Sequence, residues 1–178
     1  MRTTIKLAAR YCILMTACIL TVSAARLADS TLSSDDSDFV KNAAKGNITE
    51  IDLGHLAVQK ATNPEVKAFA NRMIRDHSKA NEELTTLATS KGLDVSKSAP
   101  LSEDISSMRL KMLSGKSFDE AYIKLMIDDH KEDVAAFQKE SESAQDIDVK
   151  RFASKILPIL QGHLAKIVQI QTDFNAGK

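Results

Sequence analysis

After residue 36, polar and apolar residues repeat with a helical period along four long segments of the chain. Apolar side chains return every three or four positions, which gathers them on one face of a helix. The pattern predicts helices over about residues 37–62, 64–91 and 117–143, and a fourth from a cap at Asp146 or Asp148 to about Phe174. Pro64 suits a first helical turn, and Ser117-Phe118-Asp119-Glu120 is a capping-box pattern that opens the third helix.

The connections between these helices predict the topology. The first and second helices, and the third and fourth, are joined by tight turns, so each pair should form an antiparallel hairpin. The middle connection, residues 92–116, is long for a bundle and should contain a short helix over about 102–113, ending at Gly115. A connection of that size can cross from one end of the bundle to the other, as in ferritin-like folds. We therefore predict an all-α, antiparallel four-helix bundle over residues 37–178; simple up-down topology is the alternative.

The N-terminus has the features of an export signal. A basic segment with Arg2, Lys6 and Arg10 precedes an apolar run and the small residues of 23–25. We predict a cleaved signal peptide over residues 1–25 and a polar linker over 26–36, with a lipoprotein or an uncleaved anchor as alternatives. The apolar run is shorter than the roughly 20 residues that span a bilayer, and we expect no membrane span in the mature chain.

Removing that segment changes the chemistry open to the protein. Both cysteines, Cys12 and Cys18, leave with it, which excludes thiolate catalysis and cysteine metal sites. The mature chain keeps 21 basic and 24 acidic residues, a net charge of −3 that argues against a nucleic-acid partner. The hydrophobic content of 43% is sufficient for one core, and the 4% of aromatic residues suits helices packed through aliphatic side chains.

One ionisable residue interrupts the apolar face of each long helix. These residues are Glu50, His77, His130 and His163. Counting from the two tight turns, Glu50 should lie level with His77, and His130 level with His163, because each helical residue adds 1.5 Å. The sequence thus predicts one polar layer in the middle of an otherwise apolar core.

Burying such a layer is costly unless its groups are paired, neutralised or bound to a metal. Three imidazoles and a carboxylate form a candidate site for a divalent transition metal such as zinc, iron, copper or manganese. Asp76, Asp129 and Asp133 lie close by in sequence and could orient the rings or add ligands. The alternative is a metal-free hydrogen-bond network that fixes helix register. His55 is expected at the rim or surface.

Several ordered motifs resemble a large family of exported bacterial ferritin-like proteins that is catalogued as a domain of unknown function and often labelled as outer-membrane. The motifs are Glu50 to Ala57, Val66 to Ala70 leading to Asp76-His77, Ser114-Gly115 with Phe118-Asp119 and Tyr122, then His130, and Leu157-Pro158 with His163. The resemblance implies a four-helix bundle in the periplasm or envelope, no established activity, and the same four polar positions. It departs from di-iron enzymes, because Ile74, Ile127 and Leu160 stand three residues before the histidines, where those enzymes carry glutamate.

These observations lead to two main functional hypotheses. The first is a periplasmic metal-binding protein, and the second is a non-enzymatic envelope or stress-related module in which the layer is structural. A metal-dependent oxidoreductase is a third hypothesis, and it would need an open coordination position and a path for the substrate. The sequence contains no nucleophile triad, phosphate loop or Gly-rich cofactor fingerprint. Enzymatic activity and formation of a homo-oligomer are left open.

Overall fold

The computed structural model describes residues 32–95 and 105–177, and every regular element in those ranges is a helix. The helices are α1 (Ser34–Lys60), α2 (Pro64–Ser90), α3 (Ile105–Met112), α4 (Gly115–Ser143) and α5 (Ile147–Ala176). The four predicted long helices and the short helix of the middle connection are confirmed. The predicted signal peptide and residues 26–31 of the linker lie outside the described residues. None of the described helices has the length and apolar character needed to cross a bilayer.

Side-chain caps explain where three of the long helices begin. The Asn63 side chain accepts hydrogen bonds from the first-turn amides of α2, and Pro64 is its first helical residue. Asp146, one of the two predicted caps, does the same for α5. Ser33 accepts from the Asp36 amide at 3.1 Å, so α1 starts three residues before the predicted Ser37 and includes the last three residues of the predicted linker.

The predicted capping box is wrong. Helix α4 begins at Gly115, so Ser117 lies inside its first turn, and Ser114 precedes the helix without making a side-chain cap. Asp119 is almost fully buried and bonds to another part of the chain, the turn between α1 and α2. Its carboxylate accepts from the amides of Thr62 at 3.0 Å and Asn63 at 2.9 Å, and from the Thr62 hydroxyl. A charged acceptor satisfies turn amides that the helices cannot.

A second carboxylate makes the equivalent contact at the other end of the bundle. Asp36, in the first turn of α1, accepts from the amides of Gln145 at 3.2 Å and Asp146 at 2.8 Å, in the turn between α4 and α5. The first helix of each hairpin therefore begins beside the turn of the other hairpin, which makes α1 and α4 antiparallel.

The connection between the hairpins runs the length of the bundle. Lys91, at the end of α2, bonds to Asp146 at 2.7 Å, which places that end beside the start of α5. Helix α4 begins at the opposite end, beside the α1–α2 turn. The chain therefore crosses between the two ends, as ferritin-like topology requires, and the up-down alternative is excluded. The ammonium of Lys60, at the end of α1, donates to the carbonyl of Leu113 at 3.0 Å. This hydrogen bond holds the last residues of the crossover beside α1, just before α4 begins.

The core consists of two apolar clusters, one near each end of the bundle. One cluster is built around Phe69, Phe118 and Tyr122, near the α1–α2 turn. The other is built around Leu84 and Phe137, towards the α4–α5 turn. On every long helix the polar residue of the predicted layer lies between the positions that supply the two clusters. Burial of both clusters therefore holds the layer away from water from both sides.

Gly54 allows α1 and α2 to approach closely one turn after Glu50. A Cβ atom at this position would lie 3.1 Å from the carbonyl oxygen of Ala70 and 2.8 Å from the Ile74 side chain. Because the glycine removes that obstacle, the helices pack tightly enough for Glu50 to reach His77 on the facing helix.

We expect Asp119→Ala to lower the free energy of unfolding by about 2–3 kcal/mol, because two turn amides lose a charged acceptor. Urea unfolding measures the change. Asp128→Ala is the matched control, since Asp128 is exposed and pairs only with Lys124 one turn away among the contacts described here, and it should change stability by less than about 0.5 kcal/mol. Equal effects of the two substitutions would contradict the role given to Asp119.

We expect Glu140→Gln to stabilise the protein at pH 8 by on the order of 0.5 kcal/mol, and less at lower pH. Burial, and then the neighbouring Asp36, raise the pKa of Glu140. Because the pKa of Glu140 is higher in the folded protein than in the unfolded chain, this carboxyl stabilises the fold at pH values below its unfolded pKa. That contribution is lost as the pH rises through its folded pKa. Thermal melts of both proteins from pH 4.5 to pH 8 test this, with exposed Glu142→Gln as control; an advantage independent of pH would contradict it.

Candidate metal centre

The four predicted residues meet in one layer, each contributed by a different long helix. Glu50 lies on α1, His77 on α2, His130 on α4 and His163 on α5, and all four are buried. The centroid of the His130 ring is 5.3 Å from that of His163 and 5.9 Å from that of His77. The predicted levels across both hairpins are therefore confirmed.

Each imidazole is held by an acceptor on one of its two nitrogens. The Nδ1 of His130 is 2.9 Å from the Met126 carbonyl oxygen of its own helix. The Nε2 of His163 is 2.8 Å from a carboxylate oxygen of Asp76. The Nδ1 of His77 is 2.9 Å from the Asn47 side-chain oxygen. A carbonyl or carboxylate oxygen can only accept, so in each ring this nitrogen carries the hydrogen and donates it.

In His130 and His163 the second nitrogen, Nε2 and Nδ1 respectively, then presents a lone pair to the interior of the layer. The second nitrogen of His77, Nε2, faces the carboxylate of Glu50 at 2.9 Å, where it holds a proton in the absence of a metal. The inward nitrogens of His130 and His163 are 3.3 Å apart and face each other, and one nitrogen from each of the three rings lies within 4.8 Å of the others. Two facing lone pairs repel unless a proton or a cation lies between them.

Glu50 lies at the edge of the three rings. One oxygen is 2.9 Å from Nε2 of His77, and the other is 3.6 Å from Nδ1 of His130. The first distance is that of an ion pair without the alignment of a hydrogen bond. Within the described residues, both Glu50 oxygens and Nε2 of His77 lack a hydrogen-bond partner. Buried polar atoms without partners are costly, so the layer has unused capacity to bind a ligand.

The electrostatics of the layer favour an ionised Glu50 beside neutral His130 and His163, whereas His77 is the ring that holds a proton most readily. Burial raises the pKa of Glu50, but the nearby His77 and His130 outweigh it and bring that pKa down to about 2. Burial lowers the pKa of His163 to about 4 and also lowers that of His130. Burial opposes the charge on His77 too, yet the contact with Glu50 raises its pKa overall. Neutral imidazoles are the form that binds a metal.

The three neighbouring aspartates differ in what they contact. Asp76 orients His163 and is held in turn by Nε of Arg72 at 3.2 Å. Asp133 is half-buried, and burial together with Glu50 raises its pKa to about 7. Asp129 is also half-buried. The pKa of Tyr122 is raised by burial first, and then by the negative charges of Glu50 and Asp129.

Sequence reasoning missed two polar residues at the layer. Asn47 lies three residues before Glu50, hence on the same helix face, and a search for polar residues one turn from Glu50 would have found it. The buried hydroxyl of Tyr122 has no hydrogen-bond partner among the described residues, and an aromatic residue on an apolar face gives no sequence signal for this. His55 is exposed, as expected.

The fold and the site define an antiparallel helical bundle with a buried histidine layer. The chain belongs to the family described as Domain of unknown function (DUF4142), which matches residues 21–170. No curated protein matches it significantly.

Solved structures share the fold. A DUF305 fragment from Deinococcus radiodurans superposes with a TM-score of 0.69 at 14% identity, covering 79% of this chain and 97% of its own. A DUF305 protein from Streptomyces coelicolor, described as secreted, gives 0.69 at 15% identity, with coverage of 79% and 92%. CopM in its Cu(I)-bound form gives 0.66 at 20% identity, with coverage of 78% and 96%.

Asp76→Ala should lower the free energy of unfolding of the metal-free protein by about 1–3 kcal/mol, because the buried Nε2 of His163 loses its acceptor. Chemical unfolding in the presence of a chelator measures this. Asp52→Ala, a matched change on the α1 side of the bundle, should have an effect of less than about 0.5 kcal/mol. A stability unchanged by Asp76→Ala would show that the hydrogen bond does not position His163.

Proposed function

We propose that the polar layer binds a transition metal ion, with His77, His130 and His163 as ligands and Glu50 as a fourth, charge-compensating ligand. The observation that carries the proposal is the orientation of the rings: each donates one N–H to a fixed acceptor and points its other nitrogen inward. Histidine ligands of metal sites in proteins usually have this second hydrogen bond, which fixes the tautomer and the ring plane.

The distances in the layer fit such an ion. A tetrahedral site with metal–nitrogen bonds of about 2.0–2.1 Å separates its ligand nitrogens by about 3.3 Å. The facing nitrogens of His130 and His163 are 3.3 Å apart. An ion between them would convert their repulsion into two bonds, and the carboxylate of Glu50 would offset part of its charge.

The donor set favours a transition metal of intermediate softness. Imidazole ligands suit zinc, copper and iron, and manganese accepts more carboxylate. Among divalent ions copper binds such sites most tightly, and the structural neighbour CopM has been solved with Cu(I), Cu(II) and silver. We therefore choose copper as the first ion to test, with zinc, iron and manganese beside it.

A metal-free layer is the alternative, and one observation favours it. The side-chain nitrogen of Asn47 is buried without a partner among the described residues. Rotating that amide by half a turn would let it donate to Nδ1 of His77, which would then carry its hydrogen on Nε2, towards Glu50. In that case the protein would be a non-enzymatic envelope or stress-related helical module.

We further propose that the protein acts in the periplasm or cell envelope after export. The basic and apolar segments of residues 1–25 support this, as does the description of the Streptomyces coelicolor relative as secreted.

Protein purified from the periplasm without a histidine tag should contain about one equivalent of metal by elemental analysis. The double variant His77→Ala/His130→Ala should contain none. The bound ion should raise stability by about 2.7 kcal/mol when its free concentration is a hundred times the dissociation constant, and a chelator should remove that gain.

His55→Ala is the matched control, because it removes the exposed histidine and leaves the layer intact. It should keep the full metal content. If copper, zinc, iron and manganese are all absent from the parent protein, and adding each ion leaves its melting temperature unchanged, the metal-free layer is the correct interpretation.

A further inference from the structure

An open groove of about 350 Å³ runs between α1 and α4 on one side of the bundle. Four carboxylates line it: Asp35, Asp38, Asp133 and Glu140. Lys139 is the one basic residue in this lining. The groove therefore carries an excess of negative charge, which draws cations towards its walls.

Two features of the groove go beyond a solvated acidic surface. Glu140 lines it although only 5% of this residue is exposed, and its Oε1 has no hydrogen-bond partner in the described part of the chain. Asp133 lines the groove and lies one helical turn after His130 of the buried layer, on the same face of α4. After burial, Glu50 is the largest cause of the raised pKa of Asp133. A single half-buried carboxylate thus links the solvent-filled groove to the proposed metal site.

We propose that this groove is the entrance through which a divalent cation reaches the polar layer, with Asp133 passing the ion from the groove to Glu50. The inference rests on the proposed function, because it names the route by which that site is loaded. Asp35 and Asp38 at the groove collect the hydrated ion, and Glu140 and Asp133 exchange carboxylate oxygens for some of its waters. Asp133 contacts the ion only while the ion passes through the groove, and the residues of the layer are its final ligands.

On the opposite side of the bundle, between α2 and α5, the carboxylate next to the layer is already occupied. There Asp76 is already paired with both Arg72 and His163. The guanidinium of Arg72 lies near Gly162 of α5, whose Cβ position would be 3.6 Å from one of its nitrogens. A permanently charged guanidinium at this position repels an approaching cation.

The test is a pair of neighbouring substitutions on α4. Ala136 lines the groove, whereas the adjacent Ala135, which is also exposed, does not and lies about 100° away around the helix. Ala136→Phe places a ring in the groove without changing any charge, and Ala135→Phe adds the same ring outside it. Circular dichroism and thermal melts confirm that both variants fold.

Cu²⁺ uptake by the metal-free full-length chain is followed by stopped-flow quenching of tyrosine fluorescence, with Tyr122→Phe identifying the signal from the site. Ala136→Phe should slow uptake at least about tenfold, because a ring that fills the groove keeps the ion from the cleft in which the carboxylates concentrate it, an effect of about 10-fold or more. Ala135→Phe should stay within about twofold of the parent. Asp133→Asn should also slow uptake, and the parent rate should fall with added salt as screening weakens attraction.

The final copper content separates the two proposals. Full content in every variant, with slow uptake only in Ala136→Phe and Asp133→Asn, supports the entrance. Full content with equal rates in Ala136→Phe and Ala135→Phe overturns the entrance and leaves the metal site intact. A parent chain that takes up no copper overturns the entrance for this ion, and the elemental analysis above then decides the metal site independently.

Discussion

The structure depends on keeping three imidazoles and one carboxylate together in the dry middle of a helical bundle. Such groups are expensive to bury, and the fold meets that cost by giving each ring a fixed acceptor: Met126, Asp76 and Asn47. Apolar clusters on both sides then exclude water. Both oxygens of Glu50 and Nε2 of His77 are among the buried atoms that have no hydrogen-bond partner in the described part of the chain, and a bound cation would have its greatest effect there.

Keeping the four polar residues in one layer also requires that the four helices stay in register. A slip of one turn would move a side chain by 5.4 Å, enough to separate the rings. Asp36 and Asp119 oppose such a slip, because each joins the start of one hairpin to the turn of the other. Gly54 sets the spacing of α1 and α2 beside Glu50. These positions lie outside the layer, yet its geometry depends on them.

The bundle has two chemically different sides. On one, Arg72 and Asp76 hold His163 from outside. On the other, Asp133 lines an acidic groove one helical turn after His130. The fold is shared with DUF305 proteins and with CopM at identities of 14–20%, and such distant likeness carries architecture alone. Function in this chain therefore has to be argued from its own side chains.

The sequence by itself determined the four long helices, the short helix of the middle connection and the level of Glu50, His77, His130 and His163, because helical periodicity and rise are local properties of the chain. It left open whether the middle connection crosses the bundle, which the contacts of Lys91 and Asp119 decided. Contacts between residues far apart in sequence were decided by the tertiary structure, because a local pattern carries no information about them. The motif at Ser117 resembled a helix cap, but Asp119 instead accepts hydrogen bonds from the distant turn at Thr62 and Asn63. Which nitrogen of each ring faces inward, and that Asp133 lines a groove between α1 and α4, depend on contacts between helices far apart in sequence, and only packing brings those groups together.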